Sequence, residues 1–132
     1  MKLTDVNQLT SNFKSGDTVW ACNYEYNPES QHDDATTQLP VKGILASSRR
    51  KDEHANTLAN GSAYINYFIP LRSNGKPNWQ KALPAYSLNY ATTELECKEL
   101  YNELIDANIE WHKAEVARLK KERIKMPKST TP

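Results

Sequence analysis

Between Thr93 and Pro127 the chain contains neither glycine nor proline, and this stretch constrains the fold more than any other feature. Cys97, Leu100, Tyr101, Leu104, Ile105, Ile109, His112, Val116 and Leu119 recur along it at helical spacing. Thr93 and Glu96 have the spacing of a capping box, in which the threonine hydroxyl accepts from the amide three residues on while the glutamate reaches back to the threonine amide. One helix over 93–125 is therefore expected, about 45 Å long at 1.5 Å per residue. A break near 106–108, where helix propensity dips, is the alternative. Residues 127–132 are expected to be a flexible tail.

The remainder reads as a small sheet. Leu3, Val6, Leu9 and Phe13 suggest a short amphipathic helix over about 4–13. In 18–26, Trp20, Cys22, Tyr24 and Tyr26 alternate with Val19, Ala21, Asn23 and Glu25, a strand pattern. Residues 27–38 are polar and read as an exposed loop, 39–48 as a second strand. Gly43, at the centre of that strand, points to a bulge or a close approach of another chain. Residues 49–61 read as a second polar connection, a charged mobile loop ending in the turn pair Asn60-Gly61. A third strand spans 63–69, interrupted by Pro70, and the turn at Asn74-Gly75 joins it in a hairpin to a fourth region, 79–91, split by Pro84. Tyr86, Leu88 and Tyr90 fall on one face of its second half. The expected fold is one α+β domain over 1–126: an antiparallel sheet of four to five strands over 18–91, either open or curled as an SH3-like barrel, with a short N-terminal and a long C-terminal helix packed on one side.

The net charge of +1 conceals a division within the long helix. From 94 to 112, Glu94, Glu96, Glu99, Glu103, Asp106 and Glu110 stand against Lys98, a net −5. From 113 to 128, Lys113, Arg118, Lys120, Lys121, Arg123, Lys125 and Lys128 stand against Glu115 and Glu122, a net +5. This polarity complements the helix dipole, but the dipole acts only within the terminal turns and the segregation runs the whole length. Two such helices packed antiparallel would set −5 against +5 in both directions, as in a two-fold dimer. Alternatively the basic end takes an anionic ligand, with Arg118 and Arg123 as forks and Lys120, Lys121 and Lys125 as point charges. The near-neutral total excludes a general DNA-coating protein.

Catalysis has little support. His32, His54 and His112 lie in two polar stretches and on the helix, and no HExxH, GxSxG or GxGxxG pattern occurs. His32-Asp33-Asp34 offers metal-ligand types from one segment only, so no metal and no cofactor is expected. Cys22 and Cys97 read as reduced core residues. Seven tyrosines and three tryptophans against two phenylalanines favour half-exposed binding faces. Tyr24, Tyr26, Tyr64 and Tyr67, placed on adjacent expected strands, would make a stacking surface. The chain carries neither a signal-peptide-like apolar run nor a stretch long enough to cross a membrane, so a cytoplasmic protein is expected, in the host cytoplasm if phage-encoded.

SGDTVWA opening a strand, VKGIL, the tyrosine-rich AYINYFIPL and AYSLNYATTELECKELYNELI entering a helix resemble the small accessory proteins of phages and prophages. In outline the architecture is similar to the Thoeris anti-defence proteins of the first type. The resemblance implies a sheet with C-terminal helices, assembly into oligomers and sequestration of cyclic nucleotide signals by positively charged helix residues, with Arg118 and Arg123 as equivalents here. The expected function is thus a non-enzymatic binding protein that blocks a host factor stoichiometrically as a homo-oligomer formed through the long helix. The alternative is a nucleotide-signal or nucleic-acid binding module. Arg118, Lys120, Lys121, Arg123, Lys125, Trp111, Tyr64 and Tyr67 are the candidate contacts, with a host protein or an anionic nucleotide as partner.

Overall fold

A computed structural model describes residues 1–3, 5–26, 35–61, 64–124 and 126. The elements run β1 (Lys2–Leu3), α1 (Val6–Asn12), β2 (Thr18–Tyr26), β3 (Ala35–Ala46), α2 (Lys51–Ala59), β4 (Tyr67–Pro70), β5 (Leu83–Pro84), β6 (Asn89–Ala91) and α3 (Glu94–Glu122). Single 3-10 turns occupy Trp79–Lys81 and Ala85–Ser87. The class is α+β, as expected, with six antiparallel strands in the order β1-β6-β2-β3-β4-β5. The sheet is open, with β1 and β5 as its edges, and does not take the closed form of a small barrel.

β2 and β3 make the central hairpin. Ala21 stands opposite Val41 and Asn23 opposite Gln38, so Leu39 and Pro40 together face Cys22 in a bulge. Proline tolerates that position because a bulge leaves a residue outside the ladder. β3 begins at Ala35, inside the stretch expected to be loop: 35–38 pair with 23–26, and Thr36 and Thr37 suit a strand despite their polarity. At Gly43 a close approach does occur, made by the neighbouring strand of the same chain. A Cβ there would run into the Phe68 ring and come within 2.5 Å of the Ile69 carbonyl oxygen.

Residues 51–59, expected to be mobile loop, form α2. Its register escapes hydrophobic periodicity because Leu58 is its one large apolar residue and that side chain is 43% exposed. Polar terms hold it. Asp52 and Glu53 occupy the first turn, Arg50 pairs with Glu53 at 3.6 Å, and buried His54 accepts the Ser47 amide at 3.2 Å through Nδ1. β4 is shorter than expected and includes Pro70, which ends the strand opposite Gly43. The hairpin to β5 is as expected, with Phe68 opposite Leu83, Leu71 bridging Pro77, and Gly75 at φ +83° in the turn. Tyr86 does not share a face with Leu88 and Tyr90. The 3-10 turn rotates it outward to 76% exposure while the other two are buried.

The two helices expected on one side cover opposite faces. Along β2, Val19 and Ala21 join Leu3, Leu9, Leu45, Phe68, Leu88 and Tyr90 in one cluster, with Phe13 beside it. Trp20 and Cys22 join Ala91, Cys97, Leu100, Tyr101 and Leu104 in the other. Successive strand residues point to opposite faces, so α1 caps one and α3 the other.

Candidate functional site

α3 opens as the capping box predicts on one side: the Thr93 hydroxyl accepts from the Glu96 amide at 3.2 Å. The Glu96 carboxylate takes the hydroxyls of Thr93 at 2.9 Å and Thr92 at 3.2 Å, and the Met1 ammonium lies against it. Lys2 on β1 reaches Glu103 at 2.6 Å and Glu99 at 3.3 Å, tying the acidic half of the helix to the sheet edge. Cys97 and Leu100 are buried against β2 and β6. The helix is continuous through 106–108, where the Asn108 side chain donates to the Leu104 carbonyl at 2.9 Å.

Beyond Asn108 the helix leaves its support. Ile109 is 45% exposed, Val116 51%, Leu119 55% and Trp111 52%. Ile105, Ile109, His112, Val116 and Leu119 follow spacings of four, three, four and three, the a/d seam of about two heptads. The charge reversal falls on this projecting half. The acidic half, less one charge offset by Lys2, lies over the sheet, and the basic half extends past it.

The candidate cations do not converge. Arg118 is held along its own helix, by Glu122 through both carboxylate oxygens at 2.9 Å and by Glu115 at 3.0 Å. Glu115 first and Glu122 second keep the guanidinium more firmly protonated, and Arg118 pulls the Glu115 carboxyl below its ordinary range. Lys120 and Lys121 are exposed, as is Arg123 at the C-cap, and none makes an ion pair among the described residues. Adjacent helix positions point about 100° apart, so Lys120 and Lys121 diverge. Lys125, Lys128, the 127–132 tail, Ala63 and the His32-Asp33-Asp34 segment lie outside the described residues.

The tyrosine surface is not assembled. β3 separates β2 from β4, and Tyr24 packs edge-on against Tyr101 of α3 at 6.4 Å between ring centroids. Tyr67 is half-buried and lines a cleft of about 500 Å³ with Ile65, Pro84 and Tyr86. Tyr64, 77% exposed, borders a separate cleft with Phe13 and Lys14. Of Tyr26 only the backbone, paired with Ala35, is described.

Sequence reasoning missed the cations of the sheet. Arg72 and Lys81 line one cleft between β3 and the β4–β5 hairpin, and Lys42 lies with Trp20 in the next. Lys42 stands opposite Trp20 in the β2–β3 register, a relation visible only once the bulge is placed. Both cysteines are free and buried. Among the described residues no three His, Cys, Asp or Glu side chains gather as a metal site, and no helix is long and apolar enough to cross a membrane. Comparisons with protein-family models, curated proteins and solved structures found no match.

Proposed function

We propose that the protein is a non-enzymatic binding protein whose contact surface is the projecting half of α3, paired antiparallel with a second copy. One observation carries this reading: Ile109, Val116 and Leu119 are half-exposed on a helix that has left its sheet. Their a/d spacing suits a helical partner, and the charge reversal along α3 selects an antiparallel copy, the basic half of each helix, with Lys113, Lys120 and Lys121, lying along the acidic half of the other. A seam of about two heptads is short, so the dimer is a reversible one.

In this reading the assembled protein acts stoichiometrically, and the resemblance to phage accessory proteins supports a host factor in the cytoplasm as its target. Light scattering across micromolar concentrations tests the pairing, and a strict monomer throughout would sink it. Affinity capture from bacterial lysate tests the inhibitor role. A partner retained by the wild type and lost by Leu119→Glu is expected, and identical recovery by both would remove α3 as the contact. The second reading, an anionic nucleotide at the basic end, draws on Lys120, Lys121 and Arg123, which stand without ion pairs. It is weakened by the capture of Arg118.

A further inference from the structure

We propose that the cleft between β3 and the β4–β5 hairpin binds a small oxyanion carried on a flat apolar body, such as an aryl phosphate. The cleft measures about 460 Å³, within the usual range for small-molecule sites. Leu71 and Leu83 contribute apolar surface, Gln38 and Asn78 supply amides, and Arg72 and Lys81 bring two positive charges to a lining that contains no acid. Among the described residues neither cation makes an ion pair, so both charges are available to an anion.

The cations sit on braced backbone. The Arg72 amide donates to the Lys76 carbonyl at 2.8 Å, the Gly75 amide to the Arg72 carbonyl at 2.8 Å, the Asn78 amide to the Pro70 carbonyl at 2.8 Å, and the Lys81 amide to the Asn78 carbonyl at 3.0 Å. Arg72 Nη2 also donates to Asn78 Oδ1 at 3.3 Å, which orients the guanidinium and commits one of its five donors. A planar fork fixed in this way matches the paired oxygens of phosphate or carboxylate, and Lys81 adds a point charge. The neighbouring cleft shares Arg72 but includes Glu94, which disfavours an anion there and leaves the Lys81 side as the site.

The surface is distinct from the projecting half of α3, so the two proposals stand or fall separately. The test is an amide NMR titration of the full chain with phenyl phosphate, and with inorganic phosphate, benzoate and benzyl alcohol as comparisons. Phenyl phosphate is expected to saturate, to shift the Arg72, Asn78, Lys81 and Leu83 amides, and to bind about tenfold tighter than inorganic phosphate through its apolar body. Benzoate binding in preference to phenyl phosphate would keep the site and assign it to carboxylates. Arg72→Gln and Lys81→Gln, both at exposed positions, are each expected to weaken binding about tenfold, while the Lys120→Gln, Lys121→Gln pair leaves it unchanged. Three results would each overturn the proposal: no saturable shift with any anion, equal binding by benzyl alcohol, or undiminished binding in the Arg72→Gln, Lys81→Gln double variant.

Discussion

The ring of Phe68 fills the space in which a side chain at Gly43 would stand. The two belong to neighbouring strands, with Gly43 opposite Pro70 and Phe68 opposite Leu45. Phe68 is wholly buried in the cluster under α1. Gly43→Ala is therefore expected to lower stability by about 2–3 kcal/mol through overpacking, since the added Cβ would also lie 2.5 Å from the Ile69 carbonyl oxygen, a backbone atom that no side-chain rotation can move aside. Urea unfolding with an unchanged m-value checks this. A loss below about 0.5 kcal/mol would mean that the ring moves freely.

The proposed pairing of α3 makes a charge-dependent prediction. Leu119→Glu is expected to weaken self-association about tenfold or more by placing a carboxylate in the apolar seam. Lys120→Glu with Lys121→Glu should weaken it at low salt and much less at high salt, because these contacts are exposed and screened. Sedimentation equilibrium at two ionic strengths reads both effects. Because the sheet does not need this part of the helix, thermal stability of the diluted variants should match the wild type.

His54 gives the fold an acid-sensitive point. It is 6% exposed, and burial lowers its pKa from 6.5. Nδ1 accepts the Ser47 amide and the ring lies 5.6 Å from Trp79, so the neutral ring is the one the fold accommodates. The unfolded chain binds this proton more readily than the native one. The stability held above pH 6.5 should accordingly fall as the pH drops through 6.5 towards the lowered native value. Melting curves between about pH 7.5 and 5.5 (roughly one unit either side of the free histidine value) should show the decline, and His54→Gln should flatten it. An equal slope in the variant would assign the effect to other groups.

Cys22 and Cys97 predict a chemical readout of unfolding. Both are inaccessible, and Cys22 Sγ donates to the Cys97 carbonyl oxygen at 3.6 Å. The adjoining Cys97 and burial push the Cys22 thiol well above its ordinary range, which removes the reactive thiolate. Iodoacetamide labelling of the native protein should be slow and should accelerate in step with global unfolding. Fast labelling of Cys97 without loss of helicity would show instead that α3 lifts from the sheet locally.

The sequence disclosed what local patterns control. α3 was legible from its apolar spacing and cap, and the β4–β5 hairpin from Asn74-Gly75. The pairing of Arg118 with Glu115 and Glu122 was implicit in spacings of three and four, which favour intrahelical ion pairs over an outward-facing fork. α2 was hidden because a polar helix without a side-chain cap, anchored by one buried histidine, leaves neither an apolar stripe nor a start signal. The Arg72–Lys81 cleft was hidden because its parts meet only through the register of β3 on β4 and the turn between β4 and β5. The separation of Tyr24 from Tyr67 follows equally from strand order, which no local pattern encodes.

Strand order also governs when the molecule can be completed. β6 lies between β1 and β2, although it follows them by more than sixty residues in the chain. Among the described residues β1 has no other partner in the sheet, and without β6 one side of β2 is a bare edge. A growing chain can thus form the β2–β3–β4 portion early, yet it carries an unsealed seam until residue 91 has emerged. α3, entering three residues later, then covers the joint on the face where Ala91 meets Cys97 and Leu100. Ending the chain at residue 88 should leave the Leu3 amide without protection from hydrogen exchange, and an edge open to any strand that reaches it.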